Sequence, residues 1–455
     1  MNVHFIAIGG SAMHNLALAL HNKGYQVTGS DDEIFEPAYS RLQNHGILPE
    51  EIGWYPAKIT SETDAVILGM HAREDNPELI RAKELGVKIY SYPEYLYEQT
   101  KHKTRIVIGG SHGKTTITAM ILHVMKDLGI DTDYMVGAQL EGFDVMVKLT
   151  DNARYMVFEG DEYLTSAIDR RPKFHLYQPH IALISGIAWD HINVFPTFEN
   201  YISQFKIFAE MIPEGGTLVY CNDDEHVRAV AQEVSHNIDK IPYSLPDYTI
   251  HNGLTYVNLL GEEIQLQVFG KHNMLNLEGA RSVLATIGVG AEAFYKSISK
   301  FKGASKRLEL VGSKGSINIY KDFAHSPSKL KATIEAVKAQ FSSRKLIACM
   351  ELHTFSSLNT NFLDQYEGCM NQADVAVIFY NDHALSLKKL PPINSQMVIE
   401  SFGRDDIKVF NDREEMVSFL ISQVEMHTNL LMMSSGDFDG LNLKALTEGI
   451  FEESN

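Results

Sequence analysis

Cysteine is scarce in this chain of 455 residues: there are three, Cys221, Cys349 and Cys369, widely spaced and odd in number. That excludes a disulfide framework and zinc-type spacing, and it points to a reducing compartment. Long apolar runs are missing as well. No uninterrupted stretch approaches the ~18 residues a membrane helix needs. The N-terminus has no basic segment, and its apolar residues run into Gly9-Gly10 as a strand runs into a turn, so no signal peptide is expected. Positive charge is in deficit: 40 Lys+Arg stand against 58 Asp+Glu, a net charge of −18. Such a surface argues against nucleic acid as a partner. It also repels nucleotides at long range, so any phosphate site must be built locally from backbone N–H groups, a few cations and metal. These absences lead to the expectation of a soluble cytoplasmic protein.

What is present is 44 % hydrophobic content, ample for ordinary cores. The length suggests about three domains at roughly 100–200 residues each. The most informative stretch is 104–129, TRIVIGGSHGKTTITAMILHVMKDLG. An apolar strand at 106–108 enters the turn Gly109-Gly110-Ser111-His112-Gly113-Lys114-Thr115-Thr116. Apolar residues then recur at Ile117, Met120, Ile121, Val124, Met125 and Leu128, the period of a helix. Glycines let several N–H groups point into one concavity, and the helix N-terminus adds positive potential there. Lys114 would reach the outer phosphates and the Thr115 hydroxyl would ligate Mg²⁺. A plain βα turn with a surface lysine is the alternative. The spacing is short: G-x-x-x-x-G-K needs glycine at position 108, which is Ile.

Residues 1–103 alternate strand and helix signals. The pattern predicts a strand over 3–8, a tight turn at Gly9-Gly10-Ser11, a helix starting over 13–20, and a strand over 25–28 ending at Ser30-Asp31-Asp32. That is the mononucleotide-binding unit of a doubly wound sheet, though the glycine pattern is weak and a βαβ unit without ligand remains open. A strand over 64–68 leads to Gly69-Met70-His71; a helix over 78–85 and a strand over 87–90 follow.

Beyond the phosphate loop, a strand over 155–158 is closed by Glu159-Gly160-Asp161-Glu162, and one over 181–185 leads to Asp190-His191-Ile192-Asn193. In open α/β sheets ligands lie beyond the carboxyl ends of strands, where Lys114, Glu159 and His191 all fall. Glu159 has the hardness Mg²⁺ prefers. Alone, such an acidic turn is a solvated loop and His191 a structural histidine. Gly270-Lys271-His272-Asn273, with Asn276 on the helix that follows, forms a compact polar group before the apolar stretch 277–287. An asparagine there can pair with the edge of adenine or cap the helix. After Lys306-Arg307-Leu308-Glu309, strands over 317–320, 346–350, 375–379 and 430–433 alternate with helices, one of them over 328–341. This predicts a further α/β layer domain.

Taken together, these motifs resemble those of the Mur ligases, the ATP-dependent amino-acid ligases of peptidoglycan synthesis, from end to end. The family's shortened loop G-T-x-G-K-T is matched by residues 110–115 with Ser111 for Thr. Its E-A-D-E is matched at 159–162, its D-H at Asp190-His191, and its H-N-x-x-N at His272, Asn273 and Asn276. Its D-Y-A-H-H-P is matched at Asp322-Phe323-Ala324-His325-Ser326-Pro327, with Ser for the second His. The resemblance implies an α/β fold of three domains: a Rossmann-like UDP-sugar-binding domain at 1–103, a central P-loop ATPase domain at 104–303, and a Rossmann-like ligase domain at 304–455. It implies ATP and Mg²⁺ as cofactors. Lys114 would hold phosphates among Gly110, Ser111, His112, Gly113, Thr115 and Thr116. Thr115 and Glu159 would hold one Mg²⁺ and His191 a second. Asn273 would read adenine, Asp322 the ribose, and Arg307 a phosphate of ATP. Catalytic roles thus fall on Lys114, Glu159, His191 and Arg307. Gly9, Gly10, Ser11, Ser30, Asp31 and His71 would bind the UDP-sugar. Lys206, fifteen residues after His191, sits where several members carry a carbamylated lysine; otherwise it is a surface lysine.

Two branches of the family fit the N-terminal turn. One adds L-alanine to UDP-N-acetylmuramate; the other adds the recycled tripeptide L-Ala-γ-D-Glu-meso-diaminopimelate. The stretch 162–179 resembles the tripeptide branch, and Arg170, Arg171 and Lys173 suit a peptide with several carboxylates. The tripeptide is therefore the expected amine, with L-alanine the alternative, acting as monomer or homodimer. His353-Thr354-Phe355-Ser356 looks more like the alanine branch. Two other classes remain: a nicotinamide-dependent oxidoreductase, which leaves Gly-Lys-Thr-Thr unexplained, and a catalytically silent UDP-sugar sensor.

Overall fold

A computed structural model describes the chain except residues 71, 141, 144, 167–168, 190–191, 193, 305–306 and 454–455. Two compact units make it up. The first comprises Met1–Ile187, Glu199–Tyr243 and Gly279–Gly288; the second comprises Ala188–Phe198, Ser244–Glu278 and Val289–Asn455.

The first unit holds two sheets. β1 (Asn2–Ile6), β2 (Gln26–Ser30), β3 (Ala65–Leu68) and β4 (Lys88–Ser91) form a parallel sheet in the order β2-β1-β3-β4. β1 ends earlier than the sequence pattern predicts. At Ala7 the backbone turns left-handed (φ 67°), and the Ala7 and Ile8 N–H groups both donate to the Ser30 carbonyl. β2 runs two residues further than expected, through Gly29 and Ser30.

The second sheet contains β5 (Thr104–Gly109), β6 (Thr132–Met135), β7 (Val147–Lys148), β8 (Tyr155–Glu159), β9 (Ile181–Ile184), β10 (Thr217–Cys221) and β11 (Asp239–Tyr243). Its order is β11-β10-β9-β5-β8-β6-β7. Only the short edge strand β7 is antiparallel. β5 is central, with later strands added on both sides, so its carboxyl end is a topological switch point where such sheets bind ligands. Its residues are buried on both faces, as a parallel strand covered by helices requires.

The second unit also holds two sheets. β12 (Tyr248–His251), β13 (Leu254–Leu259) and β14 (Glu262–Leu266) form a small antiparallel sheet with no counterpart in the sequence reading. Its signal is Asn252-Gly253, a two-residue turn with φ of 55° and 73°, as a type I′ hairpin demands. β15 (Glu309–Lys314), β16 (Ile317–Asp322), β17 (Lys345–Leu352), β18 (Val375–Tyr380), β19 (Lys408–Phe410) and β20 (Thr428–Met433) form the other, in the order β15-β16-β20-β17-β18-β19, parallel except for β15. Along β17, Leu346, Ala348, Met350 and Leu352 enter one core, while Ile347 and Cys349 enter the other. That alternation is the signature of a sheet packed on both faces.

The helix expected over 277–287 in fact spans Lys271–Thr286. Asn273 therefore stands in its first turn rather than ahead of it, and Asn276 lies on the helix as expected.

Among the described residues, no helix is long and apolar enough to cross a membrane.

Candidate active site

The shortened loop has a structural cause. Ile108 is still inside β5, paired with Glu159 on one side and Leu183 on the other, so the strand delivers the chain directly to Gly110. Gly110 has φ 131° and Gly113 φ 79°, and the helix Lys114–Asp127 begins immediately afterwards. A side chain at Gly110 would collide with Ser185 at the end of β9. That contact fastens the loop: Ser111 N donates to Gly186 O at 2.9 Å, Ser185 N to Gly109 O at 3.1 Å, and Ser185 Oγ to His112 O.

Lys114 leaves the first turn of this helix and returns over the loop. Its Nζ donates to Gly110 O at 2.6 Å and to Glu162 Oε2 at 2.6 Å. Burial opposes the ammonium charge, but Glu162, Asp161 and Glu159 outweigh it and hold the lysine pKa above its ordinary value. Thr115 Oγ1 donates to Glu159 Oε1 at 2.6 Å, and the other carboxylate oxygen accepts from Gly137 N at 2.7 Å. Asp161 is partly exposed; its desolvation would raise its pKa, but Lys173 at 2.7 Å, together with Lys114, reverses the sign and holds it well below the carboxylate range.

The Thr115 and Glu159 oxygens suit a divalent cation. Neighbouring ligands on octahedral Mg²⁺, at about 2.1 Å from the ion, lie about 3 Å apart, so the two oxygens, hydrogen-bonded at 2.6 Å, would need to part by only a few tenths of an ångström to share one ion. Among the described residues no cluster of three or more His, Cys, Asp or Glu converges on one point. Mg²⁺ does not require one, because it binds through one or two protein oxygens and keeps several waters.

Near the first sheet, Gly9 N donates to Asp31 Oδ2 at 2.7 Å and Asp32 N to Asp31 Oδ1 at 2.9 Å. Burial is the chief cause that pushes the Asp31 pKa up to about 6. Ser30 is buried and its hydroxyl accepts from Lys58 Nζ at 3.2 Å. Gly10 caps the helix Ser11–Asn22 without a side chain. The turn, Ser30 and Asp31 thus meet at the carboxyl ends of β1 and β2. His71 and His191, with Asp190, lie outside the described residues.

Asn273, Arg307 and Asp322 belong to the second unit. Asn273 donates to Phe269 O at 2.9 Å, and the Arg307 guanidinium lies over the Phe323 ring at 4.6 Å. Asp322 accepts from Leu308 N at 2.6 Å and Ala324 N at 2.7 Å; burial raises its pKa, with Arg307 opposing.

Other expected residues have local partners in the first unit. Arg171 pairs with Asp169 at 2.6 Å and Glu94 at 2.9 Å, and Lys173 with Asp161, so both charges are matched by acids of the same chain. Arg170 is exposed. Lys206 forms a surface ion pair with Glu233 at 2.8 Å. Three participants escaped the sequence reading. Gly137 and Ser185 act through backbone and hydroxyl contacts that leave no motif. Tyr201, whose hydroxyl touches both Ser111 and Glu162, sits in a helix with nothing to distinguish it from a core aromatic.

A lysine and a hydroxyl at a helix N-terminus, set against carboxylates from the adjacent strand end, define a P-loop nucleotide-binding enzyme. Known proteins place it further. Residues 2–104 match the Mur ligase family catalytic domain, 108–284 the Mur ligase middle domain, and 306–436 the Mur ligase glutamate ligase domain. UDP-N-acetylmuramate–L-alanine ligase of Persephonella marina is 32% identical over 385 residues, 83% of this chain and 81% of that one. The enzyme of the same name from Carboxydothermus hydrogenoformans is 29% identical over 458 residues, covering 98% and 96%. Among solved structures, UDP-N-acetylmuramate–alanine ligase of Thermotoga maritima superposes with TM-score 0.69 at 21% identity, covering 100% of this chain and 99% of that one. A murein peptide ligase of Psychrobacter arcticus does so with TM-score 0.66 at 22% identity, covering 99% and 98%. The chain belongs to the Mur ligase family: a three-domain α/β enzyme and an ATP-dependent, ADP-forming amide-bond ligase.

Proposed function

We propose that this ligase joins L-alanine to UDP-N-acetylmuramate. The observation that carries the choice of amine is the name borne by relatives that are 29% and 32% identical over 98% and 83% of the chain. The tripeptide, expected from the sequence, is the less supported reading. Its supporting argument from the cations near 170 is weakened, because Arg171 and Lys173 are already paired with Asp169, Glu94 and Asp161. The stretch 162–179 still favours it, so it stands as the second reading.

In the proposed reaction a muramate carboxylate oxygen takes the γ-phosphoryl of ATP and ADP leaves. The free amine of alanine then attacks the acyl carbon, the C–O bond to phosphate breaks, and the amine gives up its proton as the amide forms. Lys114 neutralises charge on the transferring group, which such preorganised donors do at a value of about 3 kcal/mol each. Bound Mg²⁺, held by Thr115 and Glu159, would add Lewis-acid stabilisation there. The N–H groups of the 110–113 loop orient the phosphates. His191 as a second metal ligand, Asn273 at adenine, Asp322 at ribose, Arg307 at phosphate, and Gly9, Gly10, Ser11, Ser30, Asp31 and His71 at the UDP-sugar complete the assignment. The domain division 1–103, 104–303 and 304–455, with cytoplasmic residence, belongs to the same proposal; the three matched regions support the boundaries.

Phosphate release with UDP-N-acetylmuramate, ATP and Mg²⁺ tests the reading. Turnover with L-alanine and not with tripeptide is expected. Turnover with tripeptide alone moves the function to the second reading. No release with either amine favours a UDP-sugar sensor.

A further inference from the structure

Tyr201 is fully buried on the helix Phe198–Glu210 and lies ninety residues beyond the phosphate loop. Its Oη is 2.8 Å from Ser111 Oγ and 3.1 Å from Glu162 Oε1. Glu162 is itself 1% exposed, and its second oxygen holds Lys114 Nζ at 2.6 Å. A phenol has one proton and an ionised carboxylate only accepts. The direction of the relay follows: Ser111 donates to Tyr201, Tyr201 donates to Glu162, and Lys114 donates to Glu162. The ring is held by Phe205, edge-on at 5.2 Å, so the hydroxyl has a fixed address. Ser111 and Lys114 are three residues apart, and the relay closes a loop through two distant elements.

This arrangement meets a particular electrostatic need. Lys114 is neutralised by Glu162, yet it must be shared with an incoming polyphosphate. If Glu162 followed the lysine, it would carry a negative charge toward an anion. A carboxylate pinned at its other oxygen stays behind, and the hydrogen bond it accepts from Tyr201 weakens its hold on the ammonium. We propose that Tyr201 is a positioning residue for nucleotide binding: its hydroxyl fixes Glu162 so that Lys114 can turn to the phosphates of ATP. The inference rests on the ligase reading and concerns a residue that the family motifs do not include.

The test is calorimetric binding of ATP with Mg²⁺ to the full chain, in a cycle of Tyr201→Phe and Glu162→Gln, with UDP-N-acetylmuramate binding measured alongside. Tyr201→Phe is expected to weaken ATP about tenfold, the loss of one charge-assisted hydrogen bond. In the Glu162→Gln background it should change ATP affinity by less than about twofold, because the partner charge has gone. Affinity for UDP-N-acetylmuramate should not change. Equal losses in both backgrounds, or a parallel loss of the UDP-sugar, mean a merely structural tyrosine and overturn the proposal, as does unchanged ATP affinity. Should Tyr201→Phe fail to fold, Ser111→Ala replaces it in the cycle; an effect on ATP that persists in full with Glu162→Gln overturns the relay. A parent chain that binds the UDP-sugar but no ATP refutes the ligase reading itself, which is a distinguishable result.

Discussion

Lys114 and Glu162, forty-eight residues apart, form an ion pair of 2.6 Å under the phosphate loop, with side chains 15% and 1% exposed. The pair joins the start of a helix to an acidic turn at the end of a neighbouring strand. The consequences below can each be measured.

Lys114→Met removes the cation and keeps most of the apolar stem. Phosphate release should fall at least about a hundredfold, the scale of losing one preorganised donor in a transition state. Retained secondary structure by circular dichroism separates this from misfolding. A loss smaller than about threefold would remove Lys114 from the catalytic assignment.

Thr115→Val keeps the shape and deletes the hydroxyl that meets Glu159. The Mg²⁺ concentration at half-maximal rate should rise about tenfold, and further for Glu159→Gln, since a hard cation then loses an anionic ligand. Rate against free Mg²⁺ reads this directly; an unchanged dependence in both variants means the metal is held elsewhere.

Asp31, held at about 6 by burial against 3.8 when exposed, binds its proton more tightly in the folded state. The stabilisation from this proton is complete below the unfolded value and is lost as pH rises through about 6. Asp31→Asn does not titrate, so its stability relative to the parent should climb by up to about 3 kcal/mol between about pH 4 and pH 7. Melting temperatures across that range check the sign; a relative stability that is flat or falls with pH contradicts it.

Lys103 and Asp133 are buried at 1% and 0% exposure and pair at 2.7 Å, with Thr150 also donating to the carboxylate. Asp133→Ala strands an ammonium without its charge partner, which costs about 3–5 kcal/mol. Urea unfolding should show the unfolding free energy of the first unit falling by that amount, with the midpoint shifted to lower urea. Replacing both residues with apolar ones of similar size should recover much of the loss.

Much of the fold was readable because parallel strands covered on both faces are short, continuous apolar runs between turns. The runs at 106–108, 155–158 and 317–320 appear within a residue or two as β5, β8 and β16. The antiparallel sheet β12–β14 was less legible because its strands are half exposed and mix polar with apolar residues. The start of the helix at Lys271 was missed for a related reason: its first turn carries His272 and Asn273, which read as loop.

The sequence alone determined the phosphate loop. Glycine spacing, Lys114 and Thr115 are local properties of eight consecutive residues, and the helix period after them is local too. Which acid each cation meets was decided only by tertiary structure. β8 lies beside β5, so Glu159 reaches Thr115 and Glu162 reaches Lys114, and a buried Tyr201 joins Glu162 to Ser111. The same packing matched Arg171 with Glu94 and Lys173 with Asp161, weakening the charge argument for a peptide substrate. Charges recognise one another over a few ångströms, and that distance is set by strand order and helix packing rather than by spacing along the chain.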